Sequence, residues 1–126
     1  MERIMDVLKA ISQPTRLRTL LLLSETELCA CELGLLLGIT QPAVSQHMNV
    51  LKKAELVTER KSGTWVYYQL DRQHLEQALN WLGQAFSAPR RTAGSEFVDW
   101  GLADELLAKR AENCPECPNC SSKREV

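Results

Sequence analysis

Five cysteines are the residues of this chain best suited to chemistry, and they fall in two groups: Cys29 with Cys31, and Cys114 with Cys117 and Cys120. An odd number of cysteines in two tight clusters suggests thiolate chemistry or metal binding more than a disulfide framework. The stretch Cys114-Pro115-Glu116-Cys117-Pro118-Asn119-Cys120 is a double Cys-x-x-Cys that shares its middle member. Each pair can close a compact chelate around a soft or borderline ion. Structural zinc usually takes four ligands, one more than this stretch offers. Three thiolates instead suit As(III) or Sb(III), which keep a lone pair and take pyramidal coordination. Cys29 and Cys31 are a less direct pair. On an α-helix, positions i and i+2 point about 200° apart, so both sulfurs reach one ion only where the helix start is unwound. That same start offers partly positive N–H groups that favour thiolate. Histidine is scarce, with only His47 and His74. No Ser/His/Asp set, Gly-rich phosphate loop or carboxylate pair emerges, so an enzyme is not expected.

The elements that must position these residues can be read from periodicity. Ile4, Val7, Leu8 and Ile11 form one apolar stripe over Arg3–Ile11. Pro14 suits a first helical turn, and Thr15–Leu23 reads as a buried central helix. Glu27–Leu37 is expected as a short third helix stopped by Gly38. Thr40 can cap a fourth helix with Pro42 in its first turn. In it Val44, Met48 and Leu51 face the core, and Gln41, Ser45, Gln46, Asn49 and Lys52 face outward. A row of small polar hydrogen-bonders is unusual on a solvated helix, where Glu and Lys dominate, and it suits base edges. From Leu56 the period changes. Residues 56–60 and 64–70 are rich in β-branched and aromatic types, and Lys61-Ser62-Gly63 is expected as the turn of a hairpin. His74–Phe86 returns to helix with Leu75, Ala78, Leu79, Leu82 and Phe86 on one stripe. A linker and a short helix bearing Val98, Leu102 and Leu106 follow.

Bulk properties permit this reading without announcing it. At 126 residues the chain suits one domain, and 44% hydrophobic with 25% charged residues is ordinary for a soluble protein. Net charge is −1, but residues 1–72 carry nine Lys/Arg against eight Asp/Glu while residues 73–126 carry six against eight. The segment Gln41–Lys53 has two lysines and no acid. No apolar run is long enough to span a bilayer and no signal peptide is evident, so a cytoplasmic address and no membrane partner are expected.

Three segments together resemble one family. They are Glu27-Leu28-Cys29-Ala30-Cys31-Glu32-Leu33, Gln41-Pro42-Ala43-Val44-Ser45-Gln46-His47-Met48, and Arg60-Lys61-Ser62-Gly63-Thr64-Trp65-Val66-Tyr67-Tyr68, with Ser12–Arg18 upstream. They resemble the ArsR/SmtB family of metal(loid)-responsive repressors, of the kind that controls arsenical-resistance operons. The resemblance covers residues 3–86. It implies a mainly α protein with a β-hairpin wing: a homodimeric winged helix-turn-helix that leaves its operator when metal binds. The first segment looks like the family's ELCVCDL-type motif, so Cys29 and Cys31 match its two leading cysteines. The best-known arsenite sensors have a third cysteine where this sequence has Gly34. A third thiolate then has to come from elsewhere, and Cys114, Cys117 and Cys120 are the candidates. Asp71 and His74 do not build the Asp/His-rich site of the family's zinc and cobalt sensors.

The resulting expectations are specific. Residues 1–86 form the DNA-binding and dimerisation domain, 87–112 a linker and C-terminal helix, and 113–126 a Cys-rich tail. Gln41, Ser45, Gln46, His47 and Asn49 contact double-stranded operator DNA, while Lys52, Arg60 and Lys61 hold phosphates. The stripes on Arg3–Ile11 and His74–Phe86 exceed what one small domain covers, which calls for a homodimer with recognition helices about 34 Å apart. The inducer is As(III) or Sb(III), with Cd(II) or Pb(II) and a thiol-redox switch as alternatives. A thiol metallochaperone is the competing reading from another class; it explains the cysteines but leaves the polar helix face and the hairpin without a task.

Overall fold

The computed structural model describes residues 2–87 and 97–113, so the expectations placed on Cys114, Cys117, Cys120 and most of the linker lie outside the described residues. The order is α1 (Glu2–Ile11), α2 (Pro14–Glu25), β1 (Leu28–Cys29), α3 (Ala30–Leu37), α4 (Gln41–Lys53), β2 (Val57–Ser62), β3 (Trp65–Leu70), α5 (Arg72–Ser87), α6 (Trp100–Ala108) and α7 (Arg110–Asn113). The three strands form one antiparallel sheet in the order β1-β3-β2. Two compact units are present, Met1–Asn80 and Trp81–Val126.

In the first unit, local chemistry sets the helix limits. The Gln13 side chain accepts from the Arg16 N–H at 2.9 Å ahead of Pro14, and Thr40 Oγ1 accepts from the Ala43 N–H at 3.3 Å ahead of Pro42. Gly38 ends α3 in the left-handed region at φ 68°, where a side chain is disfavoured. Val44, Met48 and Leu51 fall at i, i+4 and i+7 of α4 and are buried as their spacing predicts, against Leu33 of α3 and Leu56 beyond α4. Each such side chain contributes about 1.5–3 kcal/mol by leaving water, so this contact fixes the seat of α4.

Several expectations change. The central helix α2 is buried on one side only, at Thr19, Leu20 and Leu23, while Leu17 and Leu21 are exposed. The third helix begins at Ala30, not Glu27: Leu28 and Cys29 pair instead with Tyr68 and Tyr67 as a short edge strand. Helical spacing cannot show this, because two residues carry no period. The hairpin turn is Gly63-Thr64, with Ser62 opposite Trp65, so Lys61 belongs to the ladder and faces Val66. Gly63 sits at φ 61°, which suits the first central position of a two-residue hairpin turn. The α1 stripe is covered within the first unit, since Ile4, Val7 and Ala10 are buried there, whereas α5 buries none of its residues fully. Leu79 of that helix is half-exposed and Phe86 is 87% exposed.

The second unit holds the end of α5 and the last two helices. Trp81 meets Phe97 edge-on with centroids 5.9 Å apart, and Asp99 caps α6 by accepting from the Leu102 N–H at 2.9 Å. Val98 lies just before α6, not on it, and with Leu102 and Leu106 is about half-exposed.

Candidate functional site

The outward face of α4 is polar. Gln41, Ser45, Gln46 and Asn49 are exposed, and successive residues turn by about 100°. Gln46, Asn49 and Lys53 therefore lie opposite the buried Val44–Met48–Leu51 stripe, while Lys52 is turned toward the hairpin. Lys53 was not among the expected DNA contacts, although its seven-residue spacing from Gln46 is legible in the sequence. Gln41 has a task within the fold: its side-chain amide donates to the Ala30 carbonyl at 3.3 Å and lies over Gly34. His47 is half-buried on the other flank, with Nδ1 3.4 Å from an Arg16 guanidinium nitrogen. Burial, and then the Arg16 charge, hold its imidazolium below the ordinary histidine range, so His47 is neutral at neutral pH.

Arg16 joins three helices. Its guanidinium donates to the carbonyls of Ala10 at 2.7 Å and Lys9 at 3.2 Å, the latter shared with the Ser12 hydroxyl, at the end of α1 while facing α4.

Each expected phosphate-binding cation meets an acid. Lys52 pairs with Glu59 at 2.6 Å, and Lys61 approaches the same carboxylate at 3.9 Å. Arg60 makes a two-point contact with Glu27 at 2.7 and 3.3 Å and lies over the Tyr67 ring, 4.6 Å from its centroid. The hydrogen bond from Arg60 holds the Glu27 carboxyl below its ordinary range. Surface pairs of this kind contribute little to stability, but they set where the wing's charges sit.

Cys29 and Cys31 stand beside the wing. Cys29 is the N-cap of α3, with extended backbone at φ −83° and ψ 164°, and only 6% exposed. Its N–H donates to the Glu32 carboxylate at 3.0 Å, and that bond, with the Cys29 thiol nearby, lowers the Glu32 carboxyl below its ordinary range. Cys31, in the first turn of α3, is exposed, and both thiols are free. The unwound start that two sulfurs on one ion require is thus already present, because Cys29 lies outside the helix. Across the sheet, Cys29 is opposite Tyr67 and Tyr67 is opposite Arg60, so one rung joins the cysteine to the wing. Among the described residues no group of three or more His, Cys, Asp or Glu side chains could hold a metal ion. Cys29 and Cys31 are the described thiols that could serve a soft ion, and Cys29 would have to turn out of its buried position to do so.

The helix-turn-helix with its wing matches known proteins. The family model described as "Bacterial regulatory protein, arsR family" matches residues 13–59, from the α2 cap into β2. The transcriptional repressor SdpR of Bacillus subtilis is 36% identical over 77 residues, which is 61% of this chain and 86% of that protein. This chain belongs to the ArsR family. An arsenical resistance operon repressor of Staphylococcus xylosus is 47% identical over 70 residues, 56% of this chain and 67% of that protein. A crystal structure of a possible transcriptional regulator for arsenical resistance superposes with a TM-score of 0.59 at 35% identity, covering 79% of this chain and 95% of that one. As an ArsR-family winged helix protein the chain is a DNA-binding transcription regulator and not an enzyme. No helix among its described residues is long and apolar enough to cross a membrane.

Proposed function

We propose that this ArsR-family chain represses transcription as a homodimer on operator DNA and is released when As(III) or Sb(III) binds its cysteine thiolates. The observation that carries the reading is the rung Cys29–Tyr67–Arg60, which sets a buried thiol directly beside the wing and one strand from Arg60. Relatives named as arsenical resistance operon repressors support the choice of inducer. Gln41, Ser45, Gln46 and Asn49 approach base edges, His47 supports the helix from its flank, and Lys52, Arg60 and Lys61 reach phosphates by exchanging their carboxylate partners for DNA. The half-exposed stripe of α5 provides the dimer surface.

Thiolates at Cys29 and Cys31 take two positions of the inducer, and one of Cys114, Cys117 or Cys120 supplies the third. Turning Cys29 out of its buried place costs the β1–β3 pairing, which seats Tyr67 beneath Arg60, and it pulls on Glu27 two residues upstream. The wing then loses its DNA-binding arrangement with no need to melt α3. Reversible release requires a coupling free energy of about 1–3 kcal/mol between inducer and DNA. The test is to count As(III) per subunit and follow DNA release in the full chain, in Cys29→Ser/Cys31→Ser, and in a chain ending at Asn113. Loss of a full equivalent in both variants, with DNA binding kept, is expected. If both variants keep a full equivalent, the sites are separate. A Cys29→Ser chain that releases DNA at the wild-type arsenite concentration overturns the assignment.

A further inference from the structure

On the flank of α4 away from the wing lies an open-sided pocket of about 330 Å³, lined by Asp6, Lys9 and Ala10 of α1, Arg16 of α2, and Val50, Lys53 and Ala54 at the end of α4. Its charge differs from that of the wing. Three cations and one acid line the pocket, whereas the wing sets Lys52, Arg60 and Lys61 against Glu27 and Glu59. Lys9 and Lys53 are exposed and join no ion pair among the described residues. Arg16 is held in place by two α1 carbonyls and cannot swing away without giving them up.

A helix seated in a major groove about 12 Å wide has one phosphodiester strand on each side. The wing side of α4 is provided for by Arg60 and Lys61. The other side is this pocket, because Lys53 shares the outward face with Gln46 and Asn49 while Val50 and Ala54 turn toward α1. We propose that the pocket seats the second phosphodiester strand of the groove, with Lys9 and Lys53 contacting phosphates, Arg16 adding fixed positive charge, and the apolar side chains of Val50 and Ala54 facing deoxyribose. Asp6 opposes binding by its charge and limits non-specific affinity. The inference rests on the DNA-binding reading and adds a second contact region to it.

Because phosphate contacts do not depend on sequence, the probe is a labelled non-operator duplex of about three helical turns. Anisotropy titrations over a range of KCl concentrations compare the full chain with Lys9→Gln/Lys53→Gln and with Asp6→Asn. The lysine variant should lose affinity and flatten the salt slope by about 0.9 for each cation that reached a phosphate. Asp6→Asn should move the other way, tightening binding about threefold at low salt. These side chains are exposed, so circular dichroism should show an unchanged fold. A lysine variant with wild-type affinity and slope overturns the inference, and so does one that loses only affinity for inorganic phosphate, which would make the pocket a small-anion site. A full chain that binds no duplex overturns the DNA-binding reading, and the pocket assignment falls with it.

Discussion

Gly34 occupies the position of a further cysteine in the best-known arsenite sensors, and its surroundings give a sharp test of how α3 and α4 are joined. A Cβ built there lies 2.7 Å from Gln41 Nε2 and 3.3 Å from the Ile39 carbonyl oxygen. The first distance is too short to keep, so the Gln41 amide must leave and its bond to Ala30 is lost, at about 0.5–1.5 kcal/mol. Crowding against the Ile39 backbone brings the total to about 1–3 kcal/mol. Against this, alanine is favoured over glycine inside a helix by about 0.5–1 kcal/mol. Gly34→Ala should therefore lie between neutral and about 2.5 kcal/mol destabilising, with the melting temperature falling by about 4–8 °C per kcal/mol in a unit of this size. In a Gln41→Ala background the nearest obstacle is gone, and the same change should cost about 1 kcal/mol less. Thermal unfolding of the four proteins, followed by circular dichroism, reads this difference directly. If the two substitutions add within about 0.5 kcal/mol, Gln41 does not fill the space over Gly34 and the packing argument fails.

Other consequences can be checked separately. Gln46→Ala should lower affinity for a selected operator by about 1–3 kcal/mol while leaving non-operator DNA nearly unaffected, as competition titrations would reveal. Glu27 has a folded-state carboxyl held below its ordinary value of 4.5 by Arg60. Its contribution to stability is therefore present above pH 4.5 and lost as pH falls through the lowered value. The melting difference between wild type and Glu27→Gln should shrink over that acidic interval; a difference that stays constant would show that the pair is not its source. Sedimentation at micromolar concentration should give a dimer, and Leu79→Glu, placed on the exposed stripe of α5, should shift it toward monomer without unfolding the first unit.

Much of this protein is determined within a few residues along the chain. The seat of α4 follows from Val44, Met48 and Leu51 on one face, and its start follows from Thr40 and Pro42, because a helix repeats every 3.6 residues and its ends need nearby acceptors. The hairpin follows from the change of period after Leu56 and from Gly63, although the turn sits one to two residues later than its composition suggests. The ELCVCDL-type pattern pointed to Cys29 and Cys31, but not to their unequal exposure. Tertiary contacts decided that. Leu28 and Cys29 become a strand only because Tyr67 and Tyr68 arrive beside them, and a two-residue strand has no periodic signal of its own. Arg60 meets Glu27 across a separation of 33 residues, and Arg16 meets His47 across 31. Those pairings turn expected DNA ligands into partners of carboxylates and make Arg16 a joint between helices. Capping and amphipathic burial depend on neighbours within a turn or two, so the sequence displays them. Ion pairs, edge strands and pockets depend on which distant segments the core brings together, and only the folded chain decides that.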